Sequence, residues 1–346
     1  MTVAVSGDSI TFPDNSVQAT APKVGMVNRV INGGMTIDQR NAGASVTPTD
    51  GVYTLDRWKY NLSQASKFTS QQSTIAPTGF SNSLLSTVSS AVTIGSNDYF
   101  MFSQRIEGFN FADMNWGTAN AVAVTLSFWV RSSLTGTFGG SFTNSAESRS
   151  YPFTYTISAA NTWEQKTVTI AGDTSGTWVG ATNGVGLKLW FGMGVGSTYS
   201  GTAGSWAGTT YFSATGATSV VGTSGATFYI TGVQLEKGST ATSFDYRPYG
   251  TELVLCQRYY MQYAANVLRL DFNGAGANYQ AAQSFSLPVT MRATPTLNSP
   301  SFTYNNANSG QYYTPSADFV KLYAVASGAG NCICTVSSIA TASAEL

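Results

Sequence analysis

No histidine occurs anywhere in these 346 residues. The commonest general base and metal ligand is therefore missing, and Ser-His-Asp or Cys-His chemistry within one chain is excluded. Charge is scarce too. Asp, Glu, Lys and Arg make up 10% of the chain, with 17 basic residues against 17 acidic ones, where an ordinary globular protein carries about 25%. Without a basic field the chain has nothing to hold nucleic acid or an anionic membrane. No apolar run approaches the ~18 residues of a membrane helix, so no membrane insertion is expected. The opening stretch MTVAVSGDSITFPDNSVQ lacks a basic n-region and an apolar h-region, so it reads as no secretory signal; the expectation is a soluble protein made in a cytoplasm. The three cysteines, Cys256, Cys332 and Cys334, match no zinc or redox spacing and read as idle or buried thiols. No Gly-x-Gly-x-x-Gly follows a strand and opens a helix. No cofactor is expected.

What the chain does have is apolar and turn-forming material: 42% hydrophobic residues, 13% aromatics and 35 glycines. That suffices for a core and argues against disorder. Val124, Leu126, Phe128 and Val130 alternate with Thr125, Ser127, Trp129 and Arg131, the period of a half-buried strand. Val168 and Ile170 repeat the pattern, and Val185, Leu187, Leu189, Phe191, Met193 and Val195 extend it furthest. Phe228 and Ile230 begin another strand, whose apolar phase slips to Val233 and Leu235 across Gly232; a bulge at that glycine accounts for the slip. Gly/Ser/Thr/Asn stretches at 172–184 and 196–225 separate the strands. Such spacing predicts a β-sandwich or jelly roll. One short helix is expected over 252–260, where Leu253, Cys256 and Tyr260 fall on a three-to-four spacing. Strand patterns resume at 267–272, 285–291 and 319–325, with Pro288 and Pro295 at edges or strand ends. The organisation expected is a short N-terminal attachment segment at 1–26, with a turn at Pro13 to Ser16, an all-β jelly-roll sandwich at 27–249, and a smaller C-terminal β module at 250–346.

Several motifs carry a resemblance. Asn32-Gly33-Gly34-Met35, Ile37-Asp38-Gln39-Arg40 and Tyr53-Thr54-Leu55-Asp56-Arg57-Trp58 resemble the start of a domain common in tail-fibre and receptor-binding virion proteins of tailed bacteriophages. Val233-Gln234-Leu235-Glu236-Lys237-Gly238 and Phe244-Asp245-Tyr246-Arg247-Pro248-Tyr249 resemble its end. Residues 253–260 and 288–295 resemble the module that follows it, and residues 10–18 are similar to attachment segments that open such fibres. The resemblance implies a jelly roll like that of carbohydrate-binding modules, assembly as a homotrimer, location on the virion, attachment to other virion proteins through residues 1–26, and recognition of a host-surface glycan. It transfers no catalytic position. On the residues alone, Asp56, Arg57 and Trp58 place an ion pair and a ring at a strand end, and Gln234, Glu236 and Arg247 tie the last strand to the first.

Glycoside hydrolysis needs two carboxylates about 5 to 9.5 Å apart. Asp98, Glu107, Asp113, Glu147, Glu164 and Asp173 are scattered without a pairing signature, so a polysaccharide depolymerase is the lesser alternative and a non-enzymatic protein the expectation. A capsid-decorating or head-fibre protein is the other alternative. Jelly rolls of the kind resembled often hold calcium, but no contiguous Asp-rich calcium loop is present, and no metal is assigned. Trp178, Tyr199, Trp206 and Tyr211 sit in Gly/Ser/Thr-rich stretches beside hydroxyl and amide groups. Such rings suit the apolar face of a sugar, and they are the candidate glycan-binding residues. The plainer alternative is that they close the sandwich ends or an intersubunit seam.

Overall fold

The computed structural model describes residues 26–314 and 316–346, together with three short strands near the N-terminus. Those three, β1 (Ala4–Ser6), β2 (Ser9–Thr11) and β3 (Val17–Gln18), pair antiparallel. The rest of the expected attachment segment, including the turn at Pro13 to Ser16, lies outside the described residues.

Thirteen strands follow in the first large unit: β4 (Tyr53–Leu55), β5 (Trp58–Leu62), β6 (Phe68–Ser73), β7 (Ser83–Val88), β8 (Tyr99–Glu107), β9 (Val124–Ser132), β10 (Gly136–Thr143), β11 (Ser150–Ile157), β12 (Glu164–Ile170), β13 (Val185–Val195), the two-residue β14 (Ser200–Gly201) and β15 (Ser213–Ala214), and β16 (Thr227–Lys237). One sheet has the order β11-β10-β13-β8-β5-β4 and the other β12-β9-β16-β7-β6. The chain crosses between them repeatedly: β5 lies in the first, β6 and β7 in the second, β8 in the first, β9 in the second, β10 and β11 in the first, β12 in the second, β13 in the first and β16 in the second. This is a jelly-roll β-sandwich.

The alternations in the sequence become the two inner faces. Val124, Leu126, Phe128 and Val130 on β9 and Leu187, Leu189, Phe191 and Met193 on β13 are all buried in one core. Rings bridge the layers: Phe191 stacks on Phe102 of its own sheet, centroids 5.3 Å apart, and meets Phe128 of the other edge-on at 5.2 Å. The slip on β16 is a real irregularity. Its pairing with β9 shifts between Thr231 and Gln234, and Gly232 adopts φ +60°.

The expected helix forms as α1 (Tyr249–Gln257), ending before Tyr260 rather than at it. The C-terminal unit then builds three antiparallel three-stranded sheets from β17 (Tyr260–Tyr263), β18 (Arg269–Gly274), β19 (Gln280–Ser286), β20 (Thr296–Leu297), β21 (Phe302–Asn305), β22 (Ala307–Tyr313), β23 (Phe319–Ala326), β24 (Gly330–Val336) and β25 (Ala340–Ser343). Their orders are β17-β25-β20, β18-β24-β21 and β19-β23-β22. The strand expected at 285–291 runs earlier, because β19 stops at Ser286, two residues before Pro288. Proline cannot donate to a ladder. Cys332 and Cys334 on β24 and Cys256 on α1 are buried free thiols.

The seam between the two units is ionic. Arg258 meets Glu107 through two hydrogen bonds of 3.0 and 2.6 Å, and the Tyr259 hydroxyl donates to the same carboxylate at 2.5 Å. Burial pushes the Glu107 carboxyl up, but the hydrogen bonds from Arg258 and Tyr259 outweigh it and hold it below the usual range. Arg57 and Arg40 both bond the carboxylate of Glu345 and stack on Tyr259 and Tyr260, each guanidinium 3.6 Å from its ring centroid. The ion pair expected near Trp58 thus runs from Arg57 to Glu345, some 288 residues away in sequence. Asp56 instead accepts from the Gln39 backbone and side chain at 2.7 Å. Burial raises its pKa to about 6 despite the nearby Arg40. Arg247 donates to the backbone oxygens of Asn28 and Val30, and Asn28 in turn bonds Val233 and Leu235 on β16, so the first and last segments of the sandwich are laced together.

Candidate functional site

On β5, buried Trp58, Tyr60 and Leu62 alternate with Lys59 and Asn61, which therefore share the outer face of the six-stranded sheet. The same logic puts Tyr99, Met101, Ser103 and Arg105 of β8 outside, and Lys188, Trp190 and Gly192 of β13. The register sets them side by side: Lys59 opposite Ser103, Ser103 opposite Trp190, Arg105 opposite Lys188.

Residues 197–215 fold down over part of this face. Glycines make the approach possible. A Cβ at Gly139 would lie 2.4 Å from the Ser213 hydroxyl, and one at Gly192 would lie 2.9 Å from it. Side chains on β10 and β13 at these two points would push the segment off the sheet. Ser150 and Ala207 pair through backbone hydrogen bonds, and the Thr210 hydroxyl donates to the Glu147 carbonyl at 2.8 Å, tying the segment to β11 and to the turn before it.

Between this segment and the exposed part of the sheet lies a cleft of about 350 Å³, lined by Asn61, Tyr99, Met101, Arg105, Glu147, Trp190, Tyr199, Thr210 and Phe212. Its rings form one group. Trp190 and Phe212 are 4.8 Å apart, Phe212 and Tyr199 5.4 Å, and Tyr199 meets Tyr99 edge-on at 5.8 Å. Trp190 and Phe212 are buried and Tyr99 and Tyr199 half-buried. The Trp190 indole N–H donates to the Thr143 hydroxyl at 2.9 Å, which fixes the ring. Polar groups stand around the rings: the Asn61 amide, which donates to Asp50 at 3.2 Å, and Lys188, whose ammonium bonds Glu147 at 2.5 Å. Lys59 is half-buried on the same sheet face, opposite Ser103 and outside the cleft lining. Burial, reinforced by Arg105 and Lys188 and opposed by Asp50, lowers its pKa to about 8.

The four rings singled out in the sequence separate into different places. Tyr199 stands in the cleft. Trp178 and Trp206 meet each other at 5.6 Å and both meet Trp116, at 4.8 and 5.1 Å, in an edge-to-face group packed on the sandwich core. Their indole N–H groups donate to the backbone oxygens of Ser175 and Ala171. Arg149, bonded twice to Asp173 at 2.7 Å, covers the Trp206 ring at 5.9 Å. Tyr211 packs on Gly201, where a Cβ would fall 2.2 Å from its ring. Sequence reasoning missed Asn61, Tyr99, Met101, Arg105, Trp190, Thr210 and Phe212 as lining residues. A signal existed for one of them: Trp190 occupies the outward phase of the clearest alternating strand, and a tryptophan in an outward phase is a ring placed on a face.

The scattered acids each have partners. Asp113 pairs with Arg29 and Lys237, Glu164 with Lys166, Asp173 with Arg149 and Glu147 with Lys188, while Asp98 accepts from Ser63, Gln64 and the Gly95 backbone. Among the described residues no group of three or more Cys, Asp or Glu is placed to hold a metal ion.

A second hollow of about 200 Å³ lies near the α1 end of the sandwich, where Phe80, Phe244 and Tyr246 pack together above Gly33 and Gly34, with centroids 4.9 to 5.4 Å apart.

No family model matches the chain, and no curated protein matches it. Among solved structures it is similar to the enzymatically active domain of tailspike protein 4 of bacteriophage CBA120, with 13% identity and a TM-score of 0.35 over 61% of this chain; the likeness spans 21% of that chain. It is also similar to a CBM4 module (13% identity, TM-score 0.30, 60% of this chain and 97% of that one). A third is the family 11 carbohydrate-binding module of Clostridium thermocellum, solved with a β-1,3-1,4-mixed-linked tetrasaccharide (9% identity, TM-score 0.30, 57% of this chain and 98% of that one). The jelly roll is defined here by the chain's own strand order.

Proposed function

We propose that this chain is a glycan-binding, non-catalytic virion protein of a tailed bacteriophage, of the tail-fibre or receptor-binding kind, and that it holds a host-surface glycan in the cleft on the six-stranded sheet. The observation that carries the reading is the cleft itself. Half-buried Tyr99 and Tyr199 offer apolar ring surface beside the Asn61 amide and the Thr210 hydroxyl, the pairing of apolar wall with a few fixed polar groups that suits a sugar. The rings are held by Trp190 and Phe212 beneath them, so little order is lost on binding. The virion setting rests on the motifs at 32–40, 53–58, 233–238 and 244–249, which resemble those of tail-fibre proteins. The absence of catalysis is favoured by the lining: among the described residues it has one side-chain carboxylate, Glu147, already bonded to Lys188, where glycosidases use two.

Binding of purified host-surface polysaccharide, measured by isothermal titration calorimetry, tests the reading. Tyr99→Ala and Tyr199→Ala should each weaken binding about tenfold, a loss of roughly 1.4 kcal/mol. Trp178→Ala and Trp206→Ala should leave affinity unchanged in whatever fraction remains folded. Affinity unaltered by both tyrosine substitutions would place the ligand elsewhere. Release of reducing sugar during the titration would make the protein a depolymerase. Antibody labelling of the particle separates a tail location from a capsid-decorating or head-fibre one.

A further inference from the structure

We infer that Glu147 selects the ligand of this cleft, its carboxylate accepting hydrogen bonds from two neighbouring hydroxyls of a neutral sugar. The inference rests on the glycan-binding reading above and deepens it to a ligand class and a selecting residue.

Glu147 sits in the turn between β10 and β11, at φ +58°. Residues other than glycine seldom adopt that backbone conformation, and glutamate lacks the short side chain that eases it for asparagine. Its surroundings hold it there. The Glu147 N–H donates to the Asn144 carbonyl at 3.1 Å, and the Asn144 side chain bonds the Arg149 N–H, the Ser148 hydroxyl and the Thr177 carbonyl. The Thr210 hydroxyl donates to the Glu147 carbonyl. The side chain is fixed as well, because buried Lys188 donates to Oε1 at 2.5 Å. Oε2 takes no hydrogen bond or ion pair among the described residues, and the side chain, 28% exposed, lines the cleft. An unfavourable backbone conformation kept at a ligand-facing carboxylate points to function. A carboxylate has about four acceptor positions; Lys188 occupies one, which leaves room for two hydroxyls at once. An anion is a poor fit. Lys188 and Glu147 neutralise each other, Arg105 donates to the Leu346 backbone oxygen, and a uronate or phosphate at Oε2 would meet like charge. Hydroxyl donors suit it, since bonds to an ionised acceptor are short and strong. Tyr99 and Tyr199 offer ring surface that the apolar face of any hexose can use. A site built to bond a hydroxyl, by contrast, rejects a sugar that places it elsewhere.

The test presents the full chain to an array of bacterial surface polysaccharides, anionic ones and neutral polymers of glucose, galactose and mannose. We expect a neutral polymer to bind best, about tenfold or more ahead of the other neutral ones. Glu147→Gln should weaken that polymer about tenfold and leave the others within about twofold, so that the ranking collapses. Glu147→Asp keeps the charge facing Lys188 but retracts the oxygens; it should narrow the ranking too, and it guards against a folding defect in the first variant. Glu164→Gln, on the other sheet, should leave the ranking intact. An anionic best binder, a ranking unchanged in both Glu147 variants, or an equal loss on every polymer overturns this inference and leaves the glycan-binding reading standing. Failure of every polysaccharide to bind overturns both.

Discussion

Lys59 stands on the outer face of the six-stranded sheet, two residues along β5 from the cleft-lining Asn61. Its neighbours are Tyr53 on β4, Arg105 on β8, Lys188 on β13, Asp50 in the preceding loop and the more distant Glu345, and burial with the two cations outweighs the acids to bring its pKa to about 8. Because the folded value lies below the 10.5 of a free lysine, folding favours the uncharged amine. Stability should therefore rise as the pH passes from about 8 toward 10.5, and the Lys59→Gln protein should lack that increment in chemical denaturation. An identical rise in both proteins would contradict this. At the seam, Glu345 holds both Arg57, itself buried, and Arg40. Removing one member of a buried ionic group leaves the others uncompensated. Glu345→Gln should cost about 3 kcal/mol of unfolding free energy, read by chemical denaturation. Little of this was legible in the sequence. Arg57 and Glu345 are far apart along the chain, and nothing local marks them as partners. Trp190 was legible in principle, since it breaks the polar phase of an otherwise regular strand.

At the scale of the element, the glycine at the β16 bulge makes the clearest case. Gly232 sits at φ +60° with its α-carbon facing Phe80, where an added Cβ would fall 2.6 Å from the ring. Gly232→Ala would pay for a left-handed backbone and displace Phe80, so a loss of about 1–2 kcal/mol is expected by denaturant titration. A neutral result would mean that the bulge relaxes into a regular ladder. This irregularity was readable from the chain because the apolar phase slips by one residue, and a slip of phase moves side chains to the opposite face. Long alternating strands such as β9 and β13 were readable for the same reason. The strand β10, Gly136-Thr-Phe-Gly-Gly-Ser-Phe-Thr, was not. Its small residues, chosen for the close approach of the 213–214 segment and of Phe153, erase the alternation that would have announced it. The cleft escaped detection similarly. Sequence reasoning placed function in the loops because rigid scaffolds usually present it there, whereas here the sheet surface supplies most of the lining.

Among the described residues the two largest apolar cores lie between the sandwich sheets and in the C-terminal unit, with the ionic seam and a small apolar group around Ile31, Ile37, Cys256 and Tyr259 between them. Residues 1–26 are the expected attachment segment. Deleting them should leave the melting temperature of the remainder within a few degrees of the parent and abolish incorporation into the virion; a collapse of folding would assign the segment to the core instead. Homotrimeric assembly, expected from the resemblance, is checked by light scattering, where a stable monomer at micromolar concentration would exclude it. The central claim is that the glycan sits on the six-stranded sheet. It is tested most directly by fluorine NMR of the protein labelled with 5-fluorotryptophan, titrated with host-surface polysaccharide. The account predicts that the Trp190 resonance shifts on saturation while those of Trp178 and Trp206 stay in place. Shifts confined to Trp178 and Trp206, with Trp190 silent, would contradict it.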